Sequence, residues 1–375
     1  MIWLSKEDRE LLERLLGEIS AEELEQNWRK IMDFTPMPSG TPREEEAIQW
    51  MKSRLEEYGL EPRILHYPAY IALPSEAQLT VLSPRRMEVQ CSPFRSVASS
   101  PPEGVEGELV YVESKNLGLV ECRDKIVLTD QATGEFMGIR QSQLLKLQEM
   151  GVKALVVICE DSYVPTVIHQ RADFSVSGNP TPDNFHEIPQ IEGIVLVSNE
   201  DGEILKTMCL RGKVCIKLKS MLETGWKTLS ILVTDVKGRK NPEKFVLING
   251  HVDTPPFSPG ATDNASGDVA MLELARIFNR YKDRLNLSLR FAWWTGHELG
   301  RYAGSTWYND EHWHDLRYNC LASLNIDSPG VEAGTEYKRA SCTELLELAA
   351  TSIREIIGQD IERSGWPSRA GDGSF

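Results

Sequence analysis

The sequence predicts an α/β protein in which a mixed, mostly parallel sheet flanked by helices is interrupted by a smaller β-rich domain. Between residues 228 and 357, short apolar runs alternate with segments of helical periodicity, an order typical of a parallel sheet covered by helices. From 73 to 227, short apolar runs alternate with turns instead, which indicates a β-rich unit. We therefore expect a discontinuous domain of residues 1–72 and 228–375 and an inserted domain of residues 73–227.

The composition argues against several classes of protein. The chain has 375 residues and a formal net charge of −15, and it shows no basic patch, so we expect no nucleic-acid partner. The seven cysteines are scattered without a CxxC pair, which favours reduced thiols and a cytoplasmic protein. The amino terminus lacks the apolar core of a signal peptide, and no apolar run approaches about 18 residues, so we expect no membrane partner. Formation of a homo-oligomer stays open.

The first 72 residues are expected to form three helices and a strand. Residues 5–32 contain two helical segments, and S-A-E-E at 20–23 has the form of a capping box, which satisfies free amides at a helix start. T-P-R-E at 41–44 repeats this form, with proline at the first helical position. Gly59 ends the third helix, and residues 63–71 follow as a strand.

The segment of residues 73–227 is expected to contain short strands and one clear helix. The helix spans residues 141–150 and ends at Gly151. The expected strands cover residues 79–82, 108–112, 125–128, 154–159, 193–197 and 213–218.

The α/β pattern resumes at about residue 228. The apolar face of residues 264–281 is wide enough to pack on a sheet, and residues 344–357 form a second expected helix. The expected strands cover residues 229–234, 245–248, 287–294 and 321–326.

Imidazole and carboxylate side chains follow the ends of three of these strands. His251 and Asp263 come after the strand of residues 245–248, Glu298 follows the next strand, and Asp327 follows the one after that. Sites form at the carboxyl ends of strands in open α/β sheets, and both types of side chain are zinc ligands. Each of these residues alone could equally be a solvated loop residue. Their repetition at successive strand ends favours a shared metal site.

Four motifs in this region resemble the metal motifs of the M28 peptidases, the co-catalytic zinc aminopeptidases and carboxypeptidases. The motifs are H-V-D at 251–253, A-T-D-N-A-S-G at 261–267, H-E-L-G-R-Y-A-G-S at 297–305 and N-I-D-S-P-G at 325–330. The resemblance covers roughly residues 30–72 and 228–375. It implies a zinc-exopeptidase-like fold.

The inserted segment is similar to a protease-associated (PA) domain, a common insertion in that family. The similar runs are V-E-G-E-L-V-Y-V at 105–112, D-K-I-V-L at 124–128 and L-Q-E-M-G-V-K-A-L-V-V-I at 147–158.

The M28 resemblance implies a role for each residue of the site. His251, Asp263 and Asp327 would hold one zinc ion, and Asp263 would bridge to a second zinc ion that Glu298 also holds. Asp253 would orient His251 by accepting its other ring proton. The resemblance further implies a cis peptide bond after Asp263.

The sequence departs from the family pattern at two points. His297 stands where the family has a glutamate base, so His297 is the candidate base; a displaced carboxylate as base, or loss of activity, are the alternatives. The family also has a later histidine ligand, whereas no histidine follows His314 here. We therefore expect a chain that is incomplete at its carboxyl end, with one or two zinc ions and a second site that lacks its usual histidine.

These observations together predict a metal-dependent exopeptidase, with an aminopeptidase as the first choice. The resemblance implies hydrolysis of peptide or acyl-amide substrates by a metal-bound hydroxide. A carboxypeptidase or an amide hydrolase on the same scaffold is one alternative. A non-catalytic M28-like binding protein is the other.

Overall fold

The structure, a computed structural model, describes residues 4–94, 98–130, 139–159, 174–175, 179–185, 188–330 and 343–358. Its helices are α1 (Lys6–Gly17), α2 (Ala21–Met32), α3 (Pro42–Glu57), α4 (Gln141–Glu149), α5 (Asn199–Arg211), α6 (Ala265–Arg280), α7 (Ala303–Glu311), α8 (Trp313–Asn319) and α9 (Thr343–Ile357). Its strands are β1 (Arg63–Ser83), β2 (Met87–Val89), β3 (Cys91–Pro93), β4 (Val105–Tyr111), β5 (Ile126–Asp130), β6 (Ile139–Arg140), β7 (Ala154–Ile158), β8 (Phe174–Ser175), β9 (Ile194–Val197), β10 (Val214–Val236), β11 (Asn241–His251), β12 (Leu287–Trp294) and β13 (Cys320–Asn325). No helix within these ranges is both long enough and apolar enough to cross a membrane.

The chain forms two compact units. The first comprises residues 1–68, 228–298 and 302–375, and the second comprises residues 69–227 and 299–301. The boundaries at 68 and 227 lie near those that the sequence suggests. The chain passes from one unit to the other within the long strands β1 and β10.

The first unit contains the mixed, mostly parallel sheet that the sequence predicts. Strand β11 lies between β12 and β13 and is parallel to both, whereas β10 is antiparallel to β12. In this register His251 is paired with Trp294, and Asn249 is paired with Asn325. The carboxyl ends of β11, β12 and β13 therefore meet at one edge of the sheet, which is where the predicted metal-site residues follow.

The core of the first unit forms between this sheet and helices α2, α3 and α6. Met271 and Leu272 of α6 are fully buried in one cluster with Ile48 of α3 and Trp293 of β12. Burial of each such side chain contributes about 1.5–3 kcal/mol to stability. Gly250 of β11 allows the backbone after β13 to approach closely, because a Cβ atom at Gly250 would lie 2.5 Å from the carbonyl oxygen of Ile326.

Neither of the two expected capping boxes forms in full. Ser20 caps α2, since its Oγ accepts a hydrogen bond from the amide of Glu23 at 3.1 Å, but the amide of Ser20 donates to Glu273 rather than to Glu23. Thr41 forms no side-chain cap on α3, and its Oγ1 donates to the carbonyl of Pro38 instead. Glu44 accepts a hydrogen bond from the amide of Gly40 at 2.7 Å. Helix α3 still begins at Pro42, because proline needs no amide partner at that position.

The second unit has a parallel core of four strands. Strands β4, β5, β7 and β9 are parallel neighbours in that order, with β3 antiparallel to β9 and β10 antiparallel to β4. The six expected strands all occur, although the one expected at 213–218 continues to Val236. Helix α5 was not predicted. It packs closely on β7, because a Cβ atom at Gly202 would lie 2.4 Å from a methyl carbon of Ile158. The identity of this unit as a PA domain stays a prediction.

Arg290 joins two strands and a helix of the first unit. Its Nε donates to Asp235 of β10 at 2.8 Å, and its Nη1 donates to Asp315 of α8 at 2.6 Å. The Arg290 side chain is only 11% exposed. Burial raises the pKa of Asp235, but the hydrogen bond and charge of Arg290 lower it further, so the net pKa is lowered.

We expect Arg290→Met to lower the free energy of unfolding at pH 7 by about 1.5–3 kcal/mol, because Asp235 would lose its buried partner and keep only the more exposed Lys237 and Arg63. A carboxylate with a lowered folded pKa stabilises the protein above its unfolded pKa, and this stability is lost as the pH falls through the folded value. The difference between the variant and the wild type should therefore shrink below about pH 4. Urea unfolding at pH 7 and pH 3.5 measures both quantities.

Arg280→Met is the control for this measurement. Arg280 pairs with Glu18 at 2.7 Å, but its side chain is 57% exposed. Such surface pairs contribute about 0–1 kcal/mol. Equal losses in the two variants would contradict the structural role of Arg290.

Candidate metal centre

His251, the last residue of β11, is held in one tautomer. Its Nδ1 lies 3.0 Å from the backbone carbonyl oxygen of Asp253, and a carbonyl can only accept. Nδ1 therefore carries the proton, and Nε2 is left with a lone pair. The sequence analysis expected the Asp253 carboxylate to accept this proton. That expectation is wrong, because the nearer carboxylate oxygen lies 4.0 Å from Nδ1.

The free nitrogen of His251 faces two carboxylates. Nε2 lies 3.0 Å from Oδ1 of Asp263 and 3.8 Å from Oδ1 of Asp327. Within the described part of the chain, both Nε2 of His251 and Oδ1 of Asp263 are buried without a hydrogen-bond partner. A lone pair that faces a carboxylate oxygen in this way is repulsive unless a proton or a cation lies between them. These three residues thus fit a divalent cation with nitrogen and oxygen ligands.

The pKa shifts of this cluster indicate the same preference for positive charge. Burial lowers the pKa of His251, but its close contacts with Asp263 and Asp327 and the charges of Asp327 and Asp253 raise it well above its usual value. Burial raises the pKa of Asp327, but the hydrogen bond and charge of His251 lower it to a net value below the usual range. A cation and a proton therefore compete for the same position, so acid is expected to weaken metal binding.

Asn264 ties together the three chain segments that form the cluster. Its Nδ2 donates to the carbonyl oxygens of His251 at 2.9 Å and Ile326 at 3.1 Å, and its Oδ1 accepts from the amide of Ser328 at 3.0 Å. The peptide bond between Asp263 and Asn264 is cis, as the M28 resemblance implied. The side chain of Asn264 therefore fixes the positions from which the carboxylates of residues 263 and 327 project.

Asp253 organises the loop that follows β12. Its Oδ1 accepts from the amide of His297 at 3.1 Å, and its Oδ2 accepts from the amide of Glu298 at 2.7 Å. The hydroxyl of Ser39 also donates to Oδ2, at 2.5 Å. Asp253 is fully buried, so it acts on the site through these backbone amides rather than by contact with a substrate.

His297 and Glu298 form a second cluster with His251. One nitrogen of each imidazole and one oxygen of Glu298 lie within 4.8 Å of one another. The His251 and His297 rings are stacked, with their centroids 3.8 Å apart and their planes 7° apart. The ring of Tyr302 meets His297 edge-on, with a centroid distance of 4.8 Å.

Asp268 is a buried carboxyl group that sequence reasoning missed. It lies in the first turn of α6, and neither of its side-chain oxygens has a hydrogen-bond partner among the described residues. Burial raises its pKa well above the usual value; the charge of His251 opposes this rise, and the charges of Asp253 and Asp327 add to it. The apolar periodicity of α6 does not indicate that Asp268 is buried, because a single polar residue in a helix is normally interpreted as exposed to solvent.

The site residues predicted from the sequence all lie close to His251 in the structure. Their chemical roles remain predictions. The residues are His251, Asp253, Asp263, His297, Glu298 and Asp327. Sequence reasoning did not predict the contacts of Ser39, Asn264 and Tyr302. The question of a later ligand falls on residues 359–375, outside the described ranges.

Residues 232–364 match the model of Peptidase family M28. This match confirms the resemblance drawn from the four motifs. It includes every ligand candidate named above, whereas Ser39 lies outside it.

Two curated relatives differ in their named activities. Carboxypeptidase Q of Homo sapiens is 26% identical over 330 residues, which is 84% of this chain and 67% of that protein. Leucine aminopeptidase 2 of Trichophyton equinum is 32% identical over 236 residues, which is 62% of this chain and 43% of that protein.

The fold is also similar to a solved structure, that of BSAP, a zinc aminopeptidase from Bacillus subtilis. The TM-score is 0.69 at 19% identity, over 95% of this chain and 81% of that one. This similarity confirms the predicted fold of the first unit.

We expect Asp268→Asn to stabilise the metal-free protein increasingly as the pH rises. An acid whose folded pKa is raised costs stability between its unfolded and folded pKa values, by as much as about 1.4 kcal/mol per pH unit. The asparagine carries no such charge, so the variant and the wild type should differ little at pH 4 and most at pH 8. Urea unfolding with a chelator present measures the difference.

Asp283→Asn, which removes an exposed carboxylate, is the control for the loss of one charge. A stability difference between Asp268→Asn and the wild type that stays constant from pH 4 to pH 8 would contradict the prediction.

Proposed function

Because residues 232–364 of this chain belong to peptidase family M28, we propose that the protein is a metal-dependent exopeptidase that hydrolyses peptide bonds. The cluster of His251, Asp263 and Asp327 carries this proposal, since its facing nitrogen and oxygen atoms need a cation or a proton between them. Zinc is the proposed cation, because neutral imidazole and carboxylates are among its usual ligands. The name of the structural relative BSAP supports the same metal.

The contacts of each residue support a role in hydrolysis. His251, Asp263 and Asp327 would hold the cation, which when bound would polarise a peptide carbonyl and lower the pKa of water. Asp253 leaves Nε2 of His251 available to bind the cation, because the Asp253 carbonyl accepts a hydrogen bond from the protonated Nδ1. Asn264 keeps the ligand-bearing segments in register, so the site is preorganised before substrate arrives.

An aminopeptidase is the first choice of activity. The relative named leucine aminopeptidase 2 supports this choice.

A carboxypeptidase is the second candidate, because the relative named carboxypeptidase Q is similar over 84% of this chain. A non-catalytic binding protein is the third, because His297 stands where the M28 resemblance implies a glutamate base.

A cytoplasmic location is part of the proposal. None of the six described cysteines forms a disulfide bond with another described residue. Reduced thiols, two of them buried here, are typical of a reducing compartment.

We expect His251→Ala to lose metal and hydrolysis together. The variant lacks the nitrogen ligand at the centre of the cluster, and the loss of an outer partner alone lowers metal affinity or activity by about 10–100-fold, so the loss here should exceed that. Zinc per chain by elemental analysis and hydrolysis of leucine p-nitroanilide are the two measurements. His314→Ala, which changes an exposed histidine of α8 stacked on Tyr318, is the matched control.

The choice among activities is tested on three substrates: leucine p-nitroanilide, its N-acetyl derivative, and a peptide with a blocked amino terminus and a free carboxyl terminus. An aminopeptidase should cleave only the first of these. Cleavage of the blocked peptide from its carboxyl end would replace this choice with the carboxypeptidase. A zinc-loaded protein inactive on all three would oppose the enzyme proposal and favour the binding protein.

A further inference from the structure

We propose that His297 is a ligand of a second divalent cation, which it binds together with Glu298. The sequence alone suggested that His297 acts as a base. The inference rests on the proposed function, because the first cation at His251, Asp263 and Asp327 is part of that proposal. In this inference His297 is a metal ligand rather than a base. The group that accepts the proton from water is then a different one, such as the displaced carboxylate that the sequence analysis gave as an alternative.

The stacking of the two imidazoles is the observation that carries the inference. Zinc binds an imidazole nitrogen at about 2.0–2.1 Å, along the nitrogen lone pair and hence in the plane of the ring. The His251 and His297 rings are nearly parallel, 7° apart, with centroids separated by 3.8 Å. Nearly parallel planes at this separation do not meet close to the rings, so a single ion cannot lie in both. Each ring can bind only an ion of its own.

The spacing of the rings fits a pair of ions. Two ions, one in each ring plane, would be about 3.8 Å apart where the two lone pairs point the same way, and farther apart where they diverge. Metals in two-metal hydrolytic sites are about 3.5–4 Å apart. The stacking is therefore compatible with such a pair.

Glu298 is the carboxylate that lies with His297. One oxygen of Glu298 lies within 4.8 Å of a nitrogen of His297, whereas Asp263 and Asp327 are grouped with His251 alone. From these two residues the second ion would have one nitrogen ligand and one carboxylate ligand, and such ligands suit zinc, cobalt or manganese.

His297 is held as a ligand should be, with little freedom to move. Its amide and that of Glu298 donate to the buried carboxylate of Asp253. Tyr302 has a φ of +61°, in the left-handed region that non-glycine residues rarely adopt. In this conformation the Tyr302 ring meets His297 edge-on, at 4.8 Å and 77°. The His297 ring is thus fixed between His251 and Tyr302, which preorganises its lone pair.

The experiment counts ions in the full chain. The protein is loaded with zinc, dialysed and analysed for zinc per chain. The same procedure is repeated with Co²⁺, and the absorption spectrum of the cobalt-loaded protein is recorded. The wild type should hold two ions. His297→Ala should hold one, with a matching loss of the cobalt absorption. His314→Ala, outside the site, should still hold two.

His297→Phe makes the test independent of folding defects. Phenylalanine keeps a ring against His251 and Tyr302 but offers no ligand atom, so this variant should also hold one ion. Two ions in both variants, with hydrolysis lost, would overturn the inference and return His297 to the role of base. One ion in the wild type would overturn the inference and leave the proposed function standing. No ion in the wild type would overturn both.

Discussion

The metal centre depends on one hydrogen bond, from Nδ1 of His251 to the backbone carbonyl of Asp253. This bond places the ring proton on the side away from Asp263 and Asp327, so a lone pair faces their carboxylates. The carboxylate of Asp253 in turn accepts the amides of His297 and Glu298. One buried residue therefore aligns both imidazoles, and its isolation from water makes each of these hydrogen bonds stronger than it would be at the surface.

Much of the fold follows from local patterns. The short apolar run at 245–248 and the mainly apolar segment 287–294, bounded by turn residues, favour strands, and the wide apolar face of α6 suits packing on a sheet. Helix α5 escaped prediction because Gly202 in its first turns lowers helix propensity; only packing against Ile158 explains the glycine. The continuity of β10 was equally hidden, since its middle is exposed and polar.

The sequence predicts those site residues that are potential metal ligands and that follow a predicted strand, which are His251, Asp263 and Asp327. It does not predict residues that reach the site through tertiary contacts. The donor to Asp253 from Ser39 comes from 214 residues away along the chain, and no local pattern indicates it. The acceptor for the His251 ring was assigned to the wrong atom of the right residue. The turn after β11 directs the Asp253 carbonyl to the place where the M28 resemblance implies a carboxylate.

The discontinuity of the first unit has a consequence for biogenesis. The amide of Ser20 donates to Glu273 at 2.8 Å across 253 residues, and Ile48 shares a core with Leu272. A nascent chain made at about 5–20 residues per second must therefore hold its amino-terminal helices without their partner for many seconds. The second unit, complete by residue 227 apart from residues 299–301, emerges earlier. Its folding on the ribosome would shorten the effective loop that the later pairing must close, which lowers the entropic cost of assembling the metal-binding sheet.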